Sequence, residues 1–338
     1  MIGTEKARKG IAVAGSLIAD VFYKIDTYPQ EGLLTNIRQT TEHVGGSGNL
    51  ILDLAKLDPR LPVEVSAVVG NDERGKMLLR KLSGYSNIDL GNVKRMGETS
   101  VTMVMNAQDT KQRTFFFNPA ASDQFQLSCK KKKKMNASIF HLEYLLLMKK
   151  VDEEDQNYGT HGARILFEAK KRGMRTSIDM VSEQSPRAAG VVKSALCYTD
   201  YCAINEVEAE AVTGIDLSSS NKMLSCNAEK AVKRLRELGV SKWAVIHSPQ
   251  CSYGLDCETS EFAAMPSLKL PAGFIKGTNG AGDAFCSGIL YAAQQGDGIK
   301  DAMKLAAACA ACSLSEENGS DGMREYKDVL KVYEQYKP

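Results

Sequence analysis

The chain has 338 residues, 43% of them hydrophobic and 25% charged, and its formal net charge is +2 at pH 7. The length allows a large buried core, and the near balance of charge argues against a nucleic-acid partner, which usually selects a basic excess. No apolar stretch approaches the length of a membrane-spanning helix, so the sequence predicts a soluble globular protein without a membrane partner.

The first third of the chain combines a buried strand with two hairpin signals. Ile11–Gly15 is an apolar run typical of a buried strand. Residues 20–39 are rich in β-forming side chains and are broken by a proline and a glycine, which predicts short strands and a hairpin. Residues 101–106 and 112–117 predict a second hairpin. Between the hairpins we expect a helix, a strand and a helix at Leu50–Leu57, Val63–Val69 and Asp72–Leu82.

From residue 138 onward, strand and helix patterns alternate. The expected strands are Ser138–Leu142, Arg175–Met180, Tyr201–Ile204 and Trp243–Ile246, and the expected helices are Gly162–Arg172, Arg187–Leu196, Glu206–Thr213 and 228–238. Such alternation predicts an α/β fold with a mainly parallel sheet flanked by helices on both faces. The two hairpin regions, about 19–42 and 100–118, do not fit this alternation. We interpret them as a small β lid on a single domain that spans 1–338.

The nine cysteines are scattered, and their number is odd. The apolar run near the start is too short for a secretory signal, so we expect reduced thiols and a cytoplasmic protein. Cys309 and Cys312 have the spacing of a redox or metal pair. They lie in an alanine-rich helical pattern without a second ligand pair nearby, so we predict that they are core residues.

Residues 277–285 combine bare backbone with a single carboxylate before a helical pattern. The first N–H groups of a helix and its dipole favour a bound anion. Asp283 would repel a phosphate there, so we interpret it as a general base that takes a proton from a hydroxyl. The amides of Gly280, Ala281 and Gly282 would then hold the transferred phosphoryl group. The alternative is a glycine-rich turn in which Asp283 is an ordinary N-cap.

Residues 280–285, Gly-Ala-Gly-Asp-Ala-Phe, resemble the C-terminal signature of the ribokinase family of carbohydrate kinases. The resemblance implies a ribokinase-like fold, ATP as phosphate donor and a sugar or sugar-like polyol as acceptor. It also implies that Asp283 is the catalytic base and that the preceding amides form an anion hole. Many members carry an aspartate at the position of Gly277, where it helps to organise a monovalent cation. The resemblance therefore gives no support for such a cation here.

A second candidate site opens the predicted helix after Ile204. Asn205 and Glu208 are three residues apart and share one helical face, and their oxygens suit Mg²⁺ with waters between. The alternative is a capping box, for which asparagine followed by glutamate is also a good sequence. The segment resembles the N-x-x-E motif of the ribokinase family, which implies that it organises the Mg²⁺ of the nucleotide through water. Both interpretations are compatible.

A third candidate site lies near the N-terminus. Asp20 follows the first predicted strand, at the end of the sheet where ligands bind in open α/β folds. Its carboxylate can accept hydrogen bonds from two hydroxyls of a polyol, or it is a turn residue before the hairpin. Gly45 and Gly46 allow close approach of the backbone, and Asn49 adds an amide. This run resembles the Gly-Gly and asparagine substrate motif of the ribokinase family, although Asn49 comes one residue early.

In the same family the strand that corresponds to Trp243–Ile246 leads into a glycine loop on the nucleotide. The resemblance places Ser248 and Gly254 in this loop, which begins at His247. Pro249 replaces a flexible glycine and removes a backbone donor, so the preferred phosphate donor stays open. His247 is as well explained as a strand-end residue as it is as a ligand.

Another glycine-containing segment is similar in sequence to a phosphate-binding motif. Residues 70–77 nearly match a P-loop, but Met77 has no hydroxyl for a metal ion. Asp72 and Glu73 would place two negative charges against the phosphates. We therefore predict an ordinary helix that begins near Asp72, with acidic residues at its positive end.

Together the three motifs predict an ATP- and Mg²⁺-dependent kinase of a sugar or polyol, in which the lid excludes water. A nucleoside kinase of the same fold is an open alternative, because Phe115–Phe117 and Tyr23 could line a base pocket. A non-catalytic sugar or nucleotide sensor is another, motivated by Gly277 and Pro249.

Three features remain without a firm role. Glu143 is a charge at the end of a predicted strand, and no function is assigned to it. We interpret the Lys130–Lys134 run as a solvent-exposed segment that precedes the predicted strand Ser138–Leu142. The exposed edge of the lid invites pairing, so a homodimer through the lid is an open alternative.

Overall fold

The computed structural model describes residues 9–110, 112–127, 135–183, 187–219, 222–223 and 225–338. The lysine run at 130–134 lies outside them. The strands are β1 (Ile11–Ile25), β2 (Ile37–Gly46), β3 (Val63–Val69), β4 (Ile88–Asp89), β5 (Lys94–Arg95), β6 (Ser100–Ala107), β7 (Arg113–Asn118), β8 (Ile139–Leu145), β9 (Glu154–Asp155), β10 (Gly159–Thr160), β11 (Arg175–Met180), β12 (Tyr201–Asn205), β13 (Ser218–Ser219), β14 (Lys222–Met223), β15 (Trp243–His247), β16 (Cys251–Asp256) and β17 (Phe262–Pro266). The helices are α1 (Ser47–Leu57), α2 (Glu73–Ser83), α3 (Lys149–Asp152), α4 (His161–Lys171), α5 (Ala188–Leu196), α6 (Glu206–Thr213), α7 (Ser225–Glu237), α8 (Ala281–Gln295), α9 (Ile299–Leu314) and α10 (Tyr326–Tyr336), with a 3₁₀ turn at Ala120–Gln124.

The main sheet has the strand order β17-β16-β15-β12-β11-β8-β1-β3-β4. Every neighbouring pair from β15 to β4 is parallel. At one edge, β16 pairs antiparallel with both β15 and β17, so β16 runs opposite to the other strands of this order. The predicted mainly parallel sheet is confirmed, and this antiparallel edge was not foreseen.

Both faces of the main sheet are buried under helices. Along β1, Ile11 and Val13 belong to one hydrophobic cluster, while Ala12 and Ala14 belong to a second one. Successive residues of a strand point to opposite faces, so a strand with two buried faces reads as a continuous apolar run. The first cluster contains residues of α1, α8 and α9, and the second contains residues of α4, α5 and α7.

Strand β1 is much longer than the sequence predicted. Residues 11–16 pair with β3 in the main sheet, and residues 18–25 continue into a second sheet, where they pair with β2 and β6. Strand β7 completes this second sheet through an antiparallel pairing with β6. The two predicted hairpins therefore exist, but the predicted break after Gly15 is wrong. The small polar residues there mark a change of sheet within one continuous strand.

Helices α8 and α9 pack closely through small residues. A Cβ at Gly288 would lie 2.6 Å from the Cα of Ala306, so only glycine permits this approach. Cys309 and Cys312 are both fully buried and free in α9, which confirms their interpretation as core residues. Within the described ranges, no helix has both the length and the hydropathy to cross a membrane.

Candidate active site

The start of α8 joins a glycine turn to a buried carboxylate. Gly280 is the N-cap residue in a left-handed conformation (φ 71°), and no side chain caps the helix. An added Cβ at Gly280 would lie 2.5 Å from the Cα of Gly319, so a side chain is excluded there. The first amides of a helix have no intrahelical acceptor. Those of Gly280, Ala281, Gly282 and Asp283 are therefore available to an anion.

Asp283 is the third residue of α8, so its interpretation as an ordinary N-cap is wrong. Its carboxylate is 6% exposed and accepts hydrogen bonds from Asn49 Nδ2 at 2.9 Å and from the Tyr144 hydroxyl. Burial raises the pKa of Asp283, and the bonds from Tyr144 and Asn49 act in the opposite direction. The site thus holds a fixed carboxylate whose affinity for a proton is increased.

Asp20 lies in the middle of β1, where this strand belongs to the second sheet, and not in a turn. Asn279 donates a hydrogen bond to its carboxylate at 3.3 Å. Gly45 faces it so closely that an added Cβ would lie 2.2 Å from the Asp20 Cγ. Burial raises the pKa of Asp20 to about 7, against the hydrogen bonds from Asn279 and Thr102. Asp20 can therefore both accept and donate hydrogen bonds near neutral pH.

The structure brings the N-terminal and C-terminal motifs together. Asn49, on α1, bonds to Asp283, and Asn279, in the glycine segment, bonds to Asp20. Gly46, which ends β2 at φ 59°, lies against the backbone oxygen of Ser16, so a Cβ would be 2.3 Å from it. Residues more than 230 positions apart thus form one continuous polar surface.

Three polar residues of this site were missed from the sequence as functional residues: Glu143 and Tyr144 on β8, and Asp179 on β11. Carboxylate oxygens of Glu143, Asp179 and Asp283 all lie within 4.8 Å of one another. Both parallel strands end at the same edge of the sheet as β1, and this edge is where α/β proteins bind ligands. The available signal was the charged residue at the end of each apolar strand.

Burial raises the pKa values of Glu143 and Asp179 well above normal. For Glu143 the negative charges of Asp283 and Asp179 add to this effect, and for Asp179 the charges of Glu208 and Asp283 do so. The cluster therefore binds protons more strongly than isolated carboxylates do.

Asn205 and Glu208 form the predicted capping box at the start of α6. The Asn205 side chain accepts from the Glu208 amide at 2.9 Å, and the Glu208 carboxylate accepts from the Asn205 amide at 2.9 Å. Ser182 donates to the second oxygen of Glu208 at 2.8 Å. Burial raises the pKa of Glu208 to about 7. Each carboxylate oxygen has a further lone pair, so the cap leaves acceptor capacity for a water molecule.

Comparison with known proteins identifies the family of this chain. A family model described as pfkB family carbohydrate kinase matches residues 8–325. The chain belongs to this family. Its curated relatives include a ribokinase of Arabidopsis thaliana, 23% identical over 335 residues that cover 95% of this chain and 80% of the relative.

Solved structures show the same fold. The Arabidopsis thaliana ribokinase complexed with ribose and ATP has a TM-score of 0.77 at 20% identity, over 96% of this chain and 99% of the other. A nucleoside kinase of Methanocaldococcus jannaschii has a TM-score of 0.72 at 16% identity, over 98% and 100%. The predicted ribokinase-like α/β fold and the assignment as a carbohydrate kinase are thereby confirmed.

The predicted nucleotide loop of this pfkB-family chain is shorter than expected. Only Ser248, Pro249 and Gln250 separate β15 from β16, and Ser248 closes this turn by accepting from the Cys251 amide at 3.2 Å. Gly254 lies inside β16, so its placement in the loop is wrong. An added Cβ there would lie 2.6 Å from the Met303 Sδ, which explains the glycine by packing against α9.

His247 ends β15 and packs on α8, its ring centroid 4.8 Å from that of Phe285. Burial lowers the pKa of His247 to about 4, so the imidazole is neutral. The Cε1 atom of His247 would lie 3.7 Å from a Cβ added to Gly282. His247 therefore forms a wall beside the glycine turn.

Gly277 is buried against the segment after α9. An added Cβ there would lie 2.8 and 2.7 Å from the backbone oxygens of Glu316 and Glu317. Close backbone approach accounts for this glycine. In the P-loop-like segment, Asp72 caps α2 by accepting from the Gly75 amide at 2.8 Å, as expected for an ordinary helix start.

Proposed function

We propose that this pfkB-family enzyme transfers the terminal phosphoryl group of ATP to a hydroxyl of a sugar or sugar-like polyol, with Asp283 as the general base. One observation supports this proposal most strongly. A buried carboxylate, fixed by Asn49 and Tyr144, lies in the first turn of a helix whose N-terminal amides no side chain caps. A relative of the same fold, the Arabidopsis thaliana ribokinase, was solved with ribose and ATP.

The proposed sugar side consists of Asp20, Gly45, Gly46 and Asn49. Asp20 belongs to the second sheet and faces Asn279, and its raised pKa lets it bond to hydroxyls in either direction. The two glycines leave room for a ligand next to the backbone, where side chains would collide with β1. Asn49 can use its carbonyl oxygen, which has no hydrogen-bond partner among the described residues, to accept from a second hydroxyl.

The proposed transfer moves one proton and one phosphoryl group. The acceptor hydroxyl gives its proton to Asp283, and its oxygen forms the new bond to phosphorus while the bond to the ADP oxygen breaks. The amides of Gly280, Ala281 and Gly282 stabilise the charge on the transferred group. A raised pKa makes Asp283 a better proton acceptor than an exposed aspartate.

Asn205 and Glu208 would hold Mg²⁺ through water. The fit rests on the donor set: a nearly buried carboxylate and an amide oxygen, both of which keep free lone pairs inside the capping box. When bound, Mg²⁺ supplies positive charge that neutralises the nucleotide phosphates. Ser248 remains a candidate contact of the nucleotide, since it lies in the turn after β15. No role is proposed for a monovalent cation.

The second sheet would serve as the lid of a single-domain enzyme. It comprises residues 18–25 of β1 with β2, β6 and β7, and Asp20 faces Gly45 within it. Closure over the sugar would exclude water, which otherwise competes as phosphoryl acceptor. Strands β2 and β7 are its edges, so pairing of two lids into a homodimer is part of the proposal. The eight described cysteines are free, which fits the cytoplasm.

A nucleoside kinase is the second candidate. Phe115 and Phe116 on β7 are 55% and 45% exposed, and aromatic rings of this kind stack on nucleobases. A panel of hexoses, pentoses and nucleosides, read as acceptor-dependent ADP formation, tests both candidates. We expect turnover with a sugar or polyol. Turnover with nucleosides alone would favour the second candidate, and acceptor binding without ADP would indicate a sensor.

A further inference from the structure

A leucine in a left-handed backbone conformation lies just beyond the strand that carries Tyr144. Leu146 follows the last residue of β8 and has φ 77°, and it is one of three non-glycine residues with positive φ in the described ranges. A bulky side chain strongly disfavours this conformation. Such strain persists only where the surrounding structure imposes it. Leu146 therefore marks a segment that the fold holds in place.

The strained residue belongs to a turn that closes on Tyr144. The Leu147 amide donates to the Tyr144 carbonyl oxygen at 3.3 Å, so residues 144–147 form a β-turn with Leu146 in third position. Turns with a left-handed third residue usually carry glycine there. The Leu146 side chain is 5% exposed and packs in the second hydrophobic cluster, which accounts for a leucine at this position. The turn sets the direction in which the chain leaves Tyr144, whose hydroxyl donates to Asp283.

Both polar groups of the Leu146 backbone are bound by the two members of one ion pair. The Leu146 amide donates to Asp152 Oδ1 at 3.0 Å, and the Leu146 carbonyl oxygen accepts from Arg187 Nη2 at 3.0 Å. The second oxygen of Asp152 lies 3.5 Å from the Arg187 guanidinium. Asp152 ends α3 and is 8% exposed, and Arg187 precedes α5 and also bonds to Glu183. Two segments outside β8 thus meet on the strained residue.

The proposed transfer assigns no role to this ion pair. A buried carboxylate is unfavourable unless it is paired and hydrogen-bonded. Burial raises the pKa of Asp152 to about 6, against the Leu146 amide and the charge of Arg187, so the carboxylate is ionised at neutral pH. Both charges are therefore directed at the backbone of one turn residue.

We propose that Asp152 and Arg187 are positioning residues, which hold Leu146 in its left-handed conformation and thereby direct the Tyr144 hydroxyl to Asp283. This inference rests on the proposed role of Asp283 as the base. The ion pair acts only through the turn, since its printed contacts are with the turn and with Glu183. Without it, the turn would relax and Tyr144 would lose its alignment with the base.

The direct test observes Tyr144 by NMR in the ligand-free full-length protein, labelled with ¹³C at the tyrosine ring carbon that bears the hydroxyl. The Tyr144 signal is the one that Tyr144→Phe lacks. Asp152→Leu removes the charge and the acceptor at similar size, and we expect it to shift this signal. Leu146→Gly in the same chain should restore the wild-type position, because glycine adopts φ 77° without support.

An unmoved Tyr144 signal in Asp152→Leu would overturn the proposal. So would a signal that stays shifted when Leu146→Gly is added, because the strain would then not be what the ion pair resists. This measurement requires no turnover, so it remains informative if Asp283 is not the base.

The functional test is a double-mutant cycle between Asp152 and Tyr144. Asp152→Leu should lower kcat by about tenfold and leave the KM for ATP unchanged, because one hydrogen bond to the charged base is lost. In a Tyr144→Phe background the same substitution should change kcat by less than about twofold, since the bond is already absent. Equal losses in the two backgrounds would show that Asp152 does not act through Tyr144.

Asp155 on β9 provides the matched control. It is also 8% exposed, accepts from the Asn157 and Tyr158 amides at 2.9 and 3.2 Å, and lies 3.4 Å from the Arg164 guanidinium. Asp155→Leu should lower stability but leave the Tyr144 signal and kcat unchanged. A Tyr144 shift as large as that of Asp152→Leu would reveal general destabilisation and contradict the proposal.

Discussion

The proposed sugar side and the nucleotide side of this site are built in different ways. On the sugar side, Asp20, Asn49 and Asp283 are 6%, 3% and 6% exposed, and each is fixed by a partner from a distant part of the chain. On the nucleotide side, Asn205 and Glu208 bond to each other in their own capping box, with Ser182 as a further partner from outside it, and Ser248 bonds within its own turn. The sugar side is therefore specified by tertiary packing, and the nucleotide side mainly by local backbone geometry.

Substitutions on the two sides should therefore have different effects, on the chemistry at one side and on stability alone at the other. A change at the buried sugar side disturbs several elements at once, because the partners of each residue lie on other elements. A change at the nucleotide side can be absorbed locally, provided that the cap or turn is preserved.

The largest effect should come from the glycine turn. Gly280→Ala puts a Cβ into a left-handed residue and 2.5 Å from Gly319, which displaces the amides that face the phosphoryl group. We expect turnover to fall by about 10²–10³-fold, the effect of losing an anion-hole donor. Gly296→Ala is the matched control, since Gly296 has φ 86° at the other end of α8 and nothing within 4 Å of a Cβ. It should cost about 1–2 kcal/mol of stability and leave turnover unaffected. Equal turnover of the two variants would contradict the assignment of the anion hole.

On the nucleotide side, Glu208→Gln separates the cap from the metal. Gln keeps an oxygen for the Asn205 amide, so stability to urea should change by less than about 1 kcal/mol. The loss of charge should raise the Mg²⁺ concentration for half-maximal velocity by about tenfold. Glu206→Gln, in the same first turn of α6, is the control and should leave this concentration unchanged. An unaltered Mg²⁺ requirement in Glu208→Gln would leave Glu208 with a capping role only.

Substitution of Gly254 tests whether this residue belongs only to strand β16, as in the structure, or also contacts the nucleotide. Gly254→Ala should destabilise the protein by about 1–3 kcal/mol, because its Cβ would overlap Met303 and Ile299 of α9. The KM for ATP, measured at a temperature where the variant is folded, should not change. Gly190→Ala on α5 has open space around its Cβ and should not destabilise the protein. A raised KM for ATP with normal stability would show that Gly254 contacts the nucleotide and would contradict the assignment to packing alone.

A smaller effect concerns the dependence of stability on pH. Asp53 on α1 is fully buried, neither of its oxygens has a hydrogen-bond partner within the described ranges, and burial raises its pKa well above normal. Its folded-state pKa exceeds the unfolded value of about 3.9, so its contribution to stability is present at low pH and is lost as pH rises through the folded-state pKa.

Asp53→Asn should therefore reduce the slope of the unfolding free energy against pH above pH 4, by up to about 1.4 kcal/mol per pH unit. Urea titrations between pH 5 and 8 measure this slope. Asp26→Asn is the control, since Asp26 is exposed and paired with Arg38, which lowers its pKa. It should leave the slope in this range unchanged. If Asp53→Asn had the slope of the wild type, Asp53 would have an ordinary pKa.

Much of this architecture was predictable, because apolar periodicity and glycine turns are local signals. Residues 175–180 form a strand with the expected bounds, and α6 begins at the expected cap. The continuation of β1 through Asp20 was not predictable, since it depends on partners in β2 and β6. Strand β16 was missed because glycine and cysteine interrupt its apolar pattern.

Within the site, the motifs identified Asp20, Asn49 and Asp283, whose proximity the structure shows. Glu143 and Tyr144 had no motif of their own. Their contact with Asp283 depends on the packing of the start of α8 against the end of the sheet where β8 ends. The sequence shows a charged residue at the end of an apolar strand, but only the tertiary structure shows that this residue lies beside the proposed base.

The most direct test of the account is the turnover of Asp283→Asn. Asn preserves the size of the side chain and an acceptor oxygen for Asn49 or Tyr144, but it cannot take a proton at neutral pH. We expect kcat to fall by about 10²–10⁴-fold, while the urea midpoint and the affinity for ATP stay close to those of the wild type. A folded Asp283→Asn enzyme that retains more than about a tenth of the wild-type turnover would contradict the role of Asp283 as the base.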